Sequence, residues 1–211
     1  MKRTRFLFLI LIAVCLALPL TAQEDDGEND TPESPPIGSG WDDYIVPDLY
    51  ARGDKTFNIS LGILIPTVFA GDAMEDNPHN IKLGGMGSLA FNYFLGPRFF
   101  LGAELGGMFA GTRGENMLYI VPFGIRVGYQ FILKRFEFPL TLMVGGAPQK
   151  YLDKGYFGLI IKPGAAGFFR FNSDWSFGLN LNWWMVPEWP KNGKNILGNF
   201  LEITLSARYH F

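Results

Sequence analysis

Residues 201–211 read Leu-Glu-Ile-Thr-Leu-Ser-Ala-Arg-Tyr-His-Phe and alternate apolar and polar side chains along almost their whole length. Successive side chains of a β-strand point to opposite faces, so a period of two predicts a strand with one apolar and one polar face. The stretch closes on an aromatic residue, Phe211. An apolar face of this kind has to pack against a protein core or against lipid.

The same alternation fills the rest of residues 55–211, and no stretch has a convincing helical period. Further apolar-every-second-residue segments lie at about 57–65, 83–93, 99–109, 119–131, 138–144, 156–171 and 175–183. Together with 201–211 they predict eight strands of about the length, ~9–11 residues, with which a tilted strand crosses a bilayer. The predicted fold is all-β, an eight-stranded antiparallel up-and-down transmembrane β-barrel.

The predicted connections alternate in length. Three are tight, at 95–98, 132–136 and 172–174, and four are longer and polar, at about 66–80, 110–117, 147–155 and 187–196. Short periplasmic turns and longer outer loops are typical of outer-membrane barrels, so we expect both ends of the barrel chain on the periplasmic side. Pro122 and Pro163 fall within strands and predict a bulge, a local break or a boundary off by a residue or two.

The two faces of the strands decide between a membrane barrel and a soluble barrel of the lipocalin type. One face carries more large apolar residues than a small barrel encloses, which favours lipid outside. The other face is rich in glycine and carries a set of charges that we predict to form a network in the lumen. Its members are Lys82, Glu104, Arg126, Lys162, Arg170, Glu202 and Arg208.

Four of these charges, Glu104, Arg126, Lys162 and Glu202, lie at comparable heights when counted from the nearest short turn. Two carboxylates and two cations neutralise each other there, either as a structural filling or as a gate across a solute path. Eight strands leave an interior just wide enough for side chains, so a broad water-filled pore is not expected.

The N-terminal part has a different composition. A basic start followed by an apolar run up to Leu20 predicts a signal peptide over residues 1–22, and the only cysteine, Cys15, fits a lipoprotein signal poorly. Residues 23–54 hold ten acidic residues and one basic residue. This acidic periplasmic segment is expected to be largely disordered, with 41–50 as a short plug or docking segment at the barrel mouth.

Catalysis finds little support in the sequence. The two histidines, His79 and His210, have no evident serine partner, and we expect no catalytic residues, no cofactor, no metal site and no nucleic-acid binding. Two functions remain. The first is a passive channel or binding barrel for small apolar solutes, with Phe69, Trp184 and Trp189 around its outer mouth. The second is a surface protein whose loops contact host or matrix components.

The closing stretch Ile203-Thr-Leu-Ser-Ala-Arg-Tyr-His-Phe211 resembles the C-terminal signal by which outer-membrane barrels are recognised for assembly. This resemblance implies periplasmic chaperones, the barrel-assembly machinery and outer-membrane lipid as partners, with Tyr209 and Phe211 as the recognised positions. Residues 55–211 as a whole look most like the small OmpW/OprG and OmpX/OmpA groups. Asn58-Ile-Ser-Leu-Gly-Ile-Leu-Ile-Pro66 and Leu95-Gly-Pro-Arg-Phe-Phe-Leu-Gly-Ala-Glu-Leu105 are similar to an opening strand and a second hairpin of the OmpW group. The first group implies passage of small hydrophobic molecules, and the second implies adhesion and defence.

Overall fold

The computed structural model describes residues 50–68, 81–112, 116–151, 154–188 and 196–211. The predicted signal peptide, residues 23–49 of the acidic segment, and the predicted mouth aromatics Phe69 and Trp189 lie outside these ranges. Within the described ranges, no helix is both long enough and apolar enough to cross a bilayer.

The described residues form β-strands joined by turns. The strands are β1 (Lys55–Pro66), β2 (Ile81–Phe94), β3 (Phe99–Thr112), β4 (Met117–Ile120), β5 (Phe123–Leu133), β6 (Phe136–Tyr151), β7 (Lys154–Arg170), β8 (Trp175–Glu188) and β9 (Ile196–His210). Every ladder is antiparallel, and β1 pairs with β9 from Thr56–His210 to Pro66–Phe200, which closes the sheet on itself. Since β4 and β5 occupy one position between β3 and β6, the barrel has eight strands, as the sequence predicts.

The interruption between β4 and β5 coincides with Pro122, which confirms a local break there. Gly106 N bonds to the Pro122 carbonyl at 2.7 Å and Val121 N to the Pro148 carbonyl at 2.9 Å, so the backbone groups around the break remain bonded to both neighbours. Pro163 behaves differently because β7 runs through it without a break. The pairing of β7 with β8 passes from Ile161–Met185 to Gly164–Asn182 with no shift of register.

One predicted loop is wrong. Residues 147–155 were expected to form a long polar connection, yet β6 continues to Tyr151 and β7 begins at Lys154. Proline, glutamine and lysine after Ala147 suggested a loop from composition, but an antiparallel pair can continue beyond its apolar band as long as its backbone groups find partners. The resulting hairpin contains the two longest strands of the barrel, of 16 and 17 residues.

The outside of the barrel is apolar. Alternate residues of each strand are exposed, including Leu61 at 67% and Leu205 at 70%, while their sequence neighbours point inward. Aromatic side chains cluster where the short turns lie, with Trp175 stacked on Phe177 and the rings of Tyr209 and Phe211 5.8 Å apart. A continuous exposed apolar surface with an aromatic rim is what a lipid-embedded barrel presents.

Candidate functional site: the barrel interior

The inward-facing side chains fill the barrel in three layers. We call the end with the tight connections 95–98, 134–135 and 171–174 the turn end, and the opposite end the loop end. The layers are an apolar cluster toward the loop end, a central ion cluster, and a second ion cluster that meets Tyr50 at the turn end.

The apolar cluster occupies the loop-end half. It consists of Leu64, Met86, Met108, Ala110, Leu118, Ile120, Met143, Ala147, Ile160, Trp184, Val186 and Phe200. Because both inward and outward positions are apolar here, the strands read as continuous apolar runs such as Ile63-Leu64-Ile65. Among the described residues, these side chains pack against one another as a buried core across the loop-end half of the interior.

The prediction of Trp184 at the outer mouth is wrong, because Trp184 lies inside the barrel. Trp184 is fully buried, its ring lies at a centroid distance of 6.4 Å from the Phe200 ring, and its Nε1 donates to Glu202 Oε2 at 2.5 Å. The physical reason is the period of two, since Trp183 points outward and its neighbour must therefore point inward. Trp184 therefore lies where the apolar cluster meets the central ion cluster.

The central ion cluster is organised around Lys162. Its Nζ donates to Glu104 Oε1 and, at 2.9 Å, to Glu202 Oε2, so one ammonium bridges two carboxylates from β3 and β9. Arg126 Nη1 donates to the other oxygen of Glu104 at 3.1 Å, and Asn182 Nδ2 donates to Glu202 Oε1 at 2.7 Å. Two cations and two carboxylates balance, and every carboxylate oxygen is bonded. That balance is what charges need when they are removed from water.

A small polar cavity lies on the turn-end side of this cluster. Its volume is about 10 Å³, and Glu104, Arg126, Glu202 and Arg208 are among the residues that line it. This is about the space that one water molecule needs. The buried Nε of Arg126 has no protein partner. The cavity therefore has room to hydrate one group and is too small for a solute path.

The second ion cluster is organised around Glu137, next to the β5–β6 turn. Glu137 Oε2 accepts from Tyr50 at 2.9 Å, from Gln130 at 2.8 Å and from Arg208 at 2.9 Å. Arg208 also lies over the Phe168 ring at 3.7 Å from its centroid. Arg170 approaches the other oxygen of Glu137 at 3.5 Å. One buried carboxylate thus faces two guanidinium groups.

Tyr50, which precedes β1, covers the turn end of the barrel interior. Its ring stacks on Phe94 at a centroid distance of 3.8 Å and an interplanar angle of 2°, and its hydroxyl lies 2.9 Å from Glu137 and 3.1 Å from His210 Nδ1. Phe94, the Glu137 carboxylate and His210 belong to three different strands, so one side chain ties the base of the barrel together. Burial raises the pKa of the Tyr50 phenol, which stays neutral and donates to Glu137.

A serine–histidine contact exists that the sequence did not reveal. Ser176 Oγ lies 2.7 Å from His210 Nε2, and His210 Nδ1 contacts Tyr50. A hydrolytic nucleophile has to reach a substrate carbonyl, whereas Ser176 is fully buried. The contact therefore extends the hydrogen-bond network at the turn end.

The structure distributes the predicted lumen charges between two clusters and leaves one out. Glu104, Arg126, Lys162 and Glu202 form the central cluster, and Arg170 and Arg208 belong to the second. Lys82 is exposed and forms no ion pair with any described residue, because a register shift between Ile81 and Gly84 removes the strict alternation there. Tyr209 and Phe211, the predicted assembly signal, are exposed at the turn end.

Uncharacterised proteins of two bacteria are similar in sequence to this chain. An uncharacterised protein of Treponema pallidum (strain Nichols) is 36% identical over 97 residues, which are 46% of this chain and 44% of that protein. The chain thus matches less than half of that relative's length. An uncharacterised protein of Borreliella burgdorferi is 26% identical over 176 residues, which are 73% of this chain and 82% of the relative.

Solved structures with a similar fold are small outer-membrane barrels. Neisserial surface protein A has a TM-score of 0.59 at 7% identity, over 75% of this chain and 97% of that one. OprG from Pseudomonas aeruginosa has a TM-score of 0.50 at 9% identity, over 77% and 97%. These likenesses show the fold of the OmpW- and OmpX-like barrels, as the resemblance predicts. A protein-family model matches residues 29–209, which is most of the chain, and the chain belongs to the family that this model describes.

Proposed function

We propose that this chain is a closed outer-membrane barrel that presents its loop end at the cell surface as an interaction scaffold. The observation that carries the proposal is the filled interior. A passive channel for small apolar solutes needs a continuous path, and here the path would have to cross the apolar cluster around Trp184 and then the Lys162 cluster. The buried Ser176 supports a structural, non-catalytic interior.

The orientation follows from the two longest connections, 67–80 and 189–195, which both lie at the loop end. The turn end, with Tyr50 and the C-terminus, faces the periplasm, and the signal peptide directs export. Tyr209 and Phe211 point outward at this end, at 37% and 57% exposure, which suits recognition by periplasmic chaperones and the barrel-assembly machinery before lipid covers them. Outer-membrane lipid is the partner of the apolar surface.

The surface role is supported by two observations. The long β6–β7 hairpin extends at the loop end and carries Lys150 and Tyr151 as exposed residues. One protein with a similar fold bears the name of a surface protein, Neisserial surface protein A. A host or matrix macromolecule is the partner that this reading implies.

The conduction experiment separates the scaffold from the channel. The full chain is refolded, its folded state is verified by a heat-modifiable gel shift, and single-channel currents and solute uptake into liposomes are measured. We expect neither channel currents nor solute uptake from the wild-type chain. We expect the same for Glu104→Ala, because the apolar cluster still closes the path in this variant. Reproducible currents that Glu104→Ala alters would refute the scaffold and establish the channel.

Surface display is tested with matched epitope tags in intact cells. One tag is inserted between residues 152 and 153, in the chain between β6 and β7, and the same tag is inserted between 172 and 173, at the turn end. We expect antibody to label the first tag on intact cells and the second only after permeabilisation. The reverse pattern would invert the orientation. Recovery of the protein in the carbonate-soluble fraction would contradict its location in a membrane.

A further inference from the structure

A second pocket opens at the turn end, separate from the small central cavity and independent of the scaffold proposal. Its volume is about 230 Å³. It is lined by Tyr50, Asp54, Lys55, Arg170, Ser173, His210 and Phe211. The residues come from the segment before β1, from the β7–β8 turn and from the end of β9, so the pocket exists only in the closed barrel.

Arg170 is only weakly held by its neighbours. Its Nη1 reaches Glu137 at 3.5 Å and its Nη2 donates to the Ser173 carbonyl at 3.2 Å, while its buried Nε has no partner. Glu137 is already held at 2.9 Å by Arg208. The two ion clusters together contain four cations, Arg126, Lys162, Arg170 and Arg208, and three carboxylates, Glu104, Glu137 and Glu202. Of these four cations, Arg170 is the one that lines the pocket, and a guanidinium that is only weakly held by a carboxylate favours an oxyanion.

The rest of the lining carries both signs. Lys55 adds a second cation, and its Nζ lies 5.8 Å from the centroid of the Phe211 ring. Asp54 adds a negative charge. Asp54 Oδ2 accepts from Ala51 N at 2.8 Å. A simple anion would meet this carboxylate, whereas a ligand with an acidic and an ammonium group meets a partner for each.

We propose that this pocket binds a phosphate ester that carries a primary ammonium, with the phosphate on Arg170 and Lys55 and the ammonium on Asp54. The volume accommodates a phosphoethanolamine group. Such a group has two sources, a lipid headgroup and a soluble molecule. The rim of the pocket meets the apolar outer surface at Phe211, which is 57% exposed, so a headgroup can enter from the lipid side.

Binding is tested by NMR on the full chain, refolded in octyl glucoside, a detergent with neither phosphate nor ammonium. The protein is labelled with ¹⁵N-arginine, and the Arg170 Nε signal is the one missing from the spectrum of Arg170→Gln. We expect O-phosphoethanolamine to shift this signal saturably, and inorganic phosphate or ethanolamine to bind about tenfold more weakly or worse, since each forms half of the contacts. No saturable shift, or equal binding of inorganic phosphate, overturns the proposal.

Matched variants assign the contacts. Arg170→Gln removes the phosphate partner, and Arg98→Gln removes an exposed arginine of another turn at the same end. For these variants, binding is followed through the ¹⁵N signals of backbone amides around the pocket. Arg170→Gln is expected to weaken binding about tenfold or more, Asp54→Asn to weaken it while keeping the Ala51 hydrogen bond, and Arg98→Gln to leave it unchanged. Equal loss in both arginine variants, with the heat-modifiable gel shift retained, overturns the assignment.

An experiment in lipid nanodiscs distinguishes a lipid headgroup from a soluble ligand. The protein is placed in nanodiscs of phosphatidylcholine with or without phosphatidylethanolamine. An Arg170 shift that appears only with phosphatidylethanolamine supports the pocket and identifies the headgroup as ligand. A shift with free O-phosphoethanolamine alone supports the pocket with a soluble ligand. Absence of both shifts overturns the proposal.

Discussion

Replacement of Lys162 by methionine tests whether the central ion cluster acts as a unit. The substitution keeps a side chain of similar length and removes the ammonium that bridges Glu104 and Glu202. Both carboxylates are buried, and only Glu104 retains a cation, Arg126 at 3.1 Å. Glu202 is left with neutral donors, from Asn182 and Trp184. Removal of one partner from a buried ion pair costs about 3–5 kcal/mol, and we expect a loss of this size in the free energy of unfolding.

The measurement is urea unfolding of the protein in lipid vesicles, followed by tryptophan fluorescence. Lys82→Met is the matched control because Lys82 is exposed and has no ion pair with any described residue, and we expect it to change the free energy of unfolding by less than about 0.5 kcal/mol. In the double variant Lys162→Met with Glu202→Gln, the unpaired carboxylate is gone, so it should be more stable than Lys162→Met alone. Equal unfolding midpoints for Lys162→Met and Lys82→Met would show that the Lys162 ammonium does not hold the two carboxylates together.

Three further predictions concern single side chains. The pKa of Tyr50 is raised in the folded protein, so its contribution to the free energy of unfolding is present below its unfolded pKa of about 10 and is lost as the pH rises above that value. Tyr50→Phe should remove this loss at alkaline pH. The measurement compares the unfolding midpoints of wild type and variant at pH 8 and at pH 11. Gly145→Ala places its Cβ against the Phe123 carbonyl oxygen and should lower the free energy of unfolding by about 1–3 kcal/mol. In the control Gly107→Ala the new Cβ meets no atom within 4 Å, so the free energy of unfolding should not change. Equal urea midpoints for the two variants would contradict the packing around Gly145. Trp184→Ala should lower the free energy of unfolding by about 3–5 kcal/mol, since the side chain is fully buried, and a midpoint unchanged from wild type would place it outside the apolar cluster.

Strand positions and the central cluster follow from the sequence because two simple rules act together. Alternation assigns each residue to a face, and the count from a tight turn gives its height at ~3.3 Å per residue. Glu104 and Lys162 lie on strands that are far apart along the chain, yet both rules bring them to one level, where the structure pairs them. The inward orientation of Glu137 also follows from alternation, since Phe136 and Phe138 point outward and the residue between them must point inward.

Other features depend on information that alternation does not carry. Tyr50 precedes β1 and belongs to no strand, so no period predicts that its ring enters the barrel. Lys82 lies at a register shift, where a single irregular residue turns a predicted inward side chain outward. The contact between Ser176 and His210 pairs residues from neighbouring strands, but their approach depends on the register of β8 against β9, which the sequence does not give.

The contents of the interior follow from size and charge at inward positions, and they explain why the barrel can be both closed and stable. Toward the loop end, inward residues such as Met143 and Phe200 need no partners and pack as a core. At the centre of the barrel, the inward positions carry charges. At other inward positions a glycine makes room for a large neighbour, as at Gly128, where a Cβ would collide with the Phe100 ring. Charges inside a protein are stable only when paired, so the ion clusters fix which strands face each other, while the apolar cluster supplies most of the burial. Under the scaffold proposal this division is an advantage, because a packed interior supports the strands up to the loop end, whereas a channel would need a path through the same side chains.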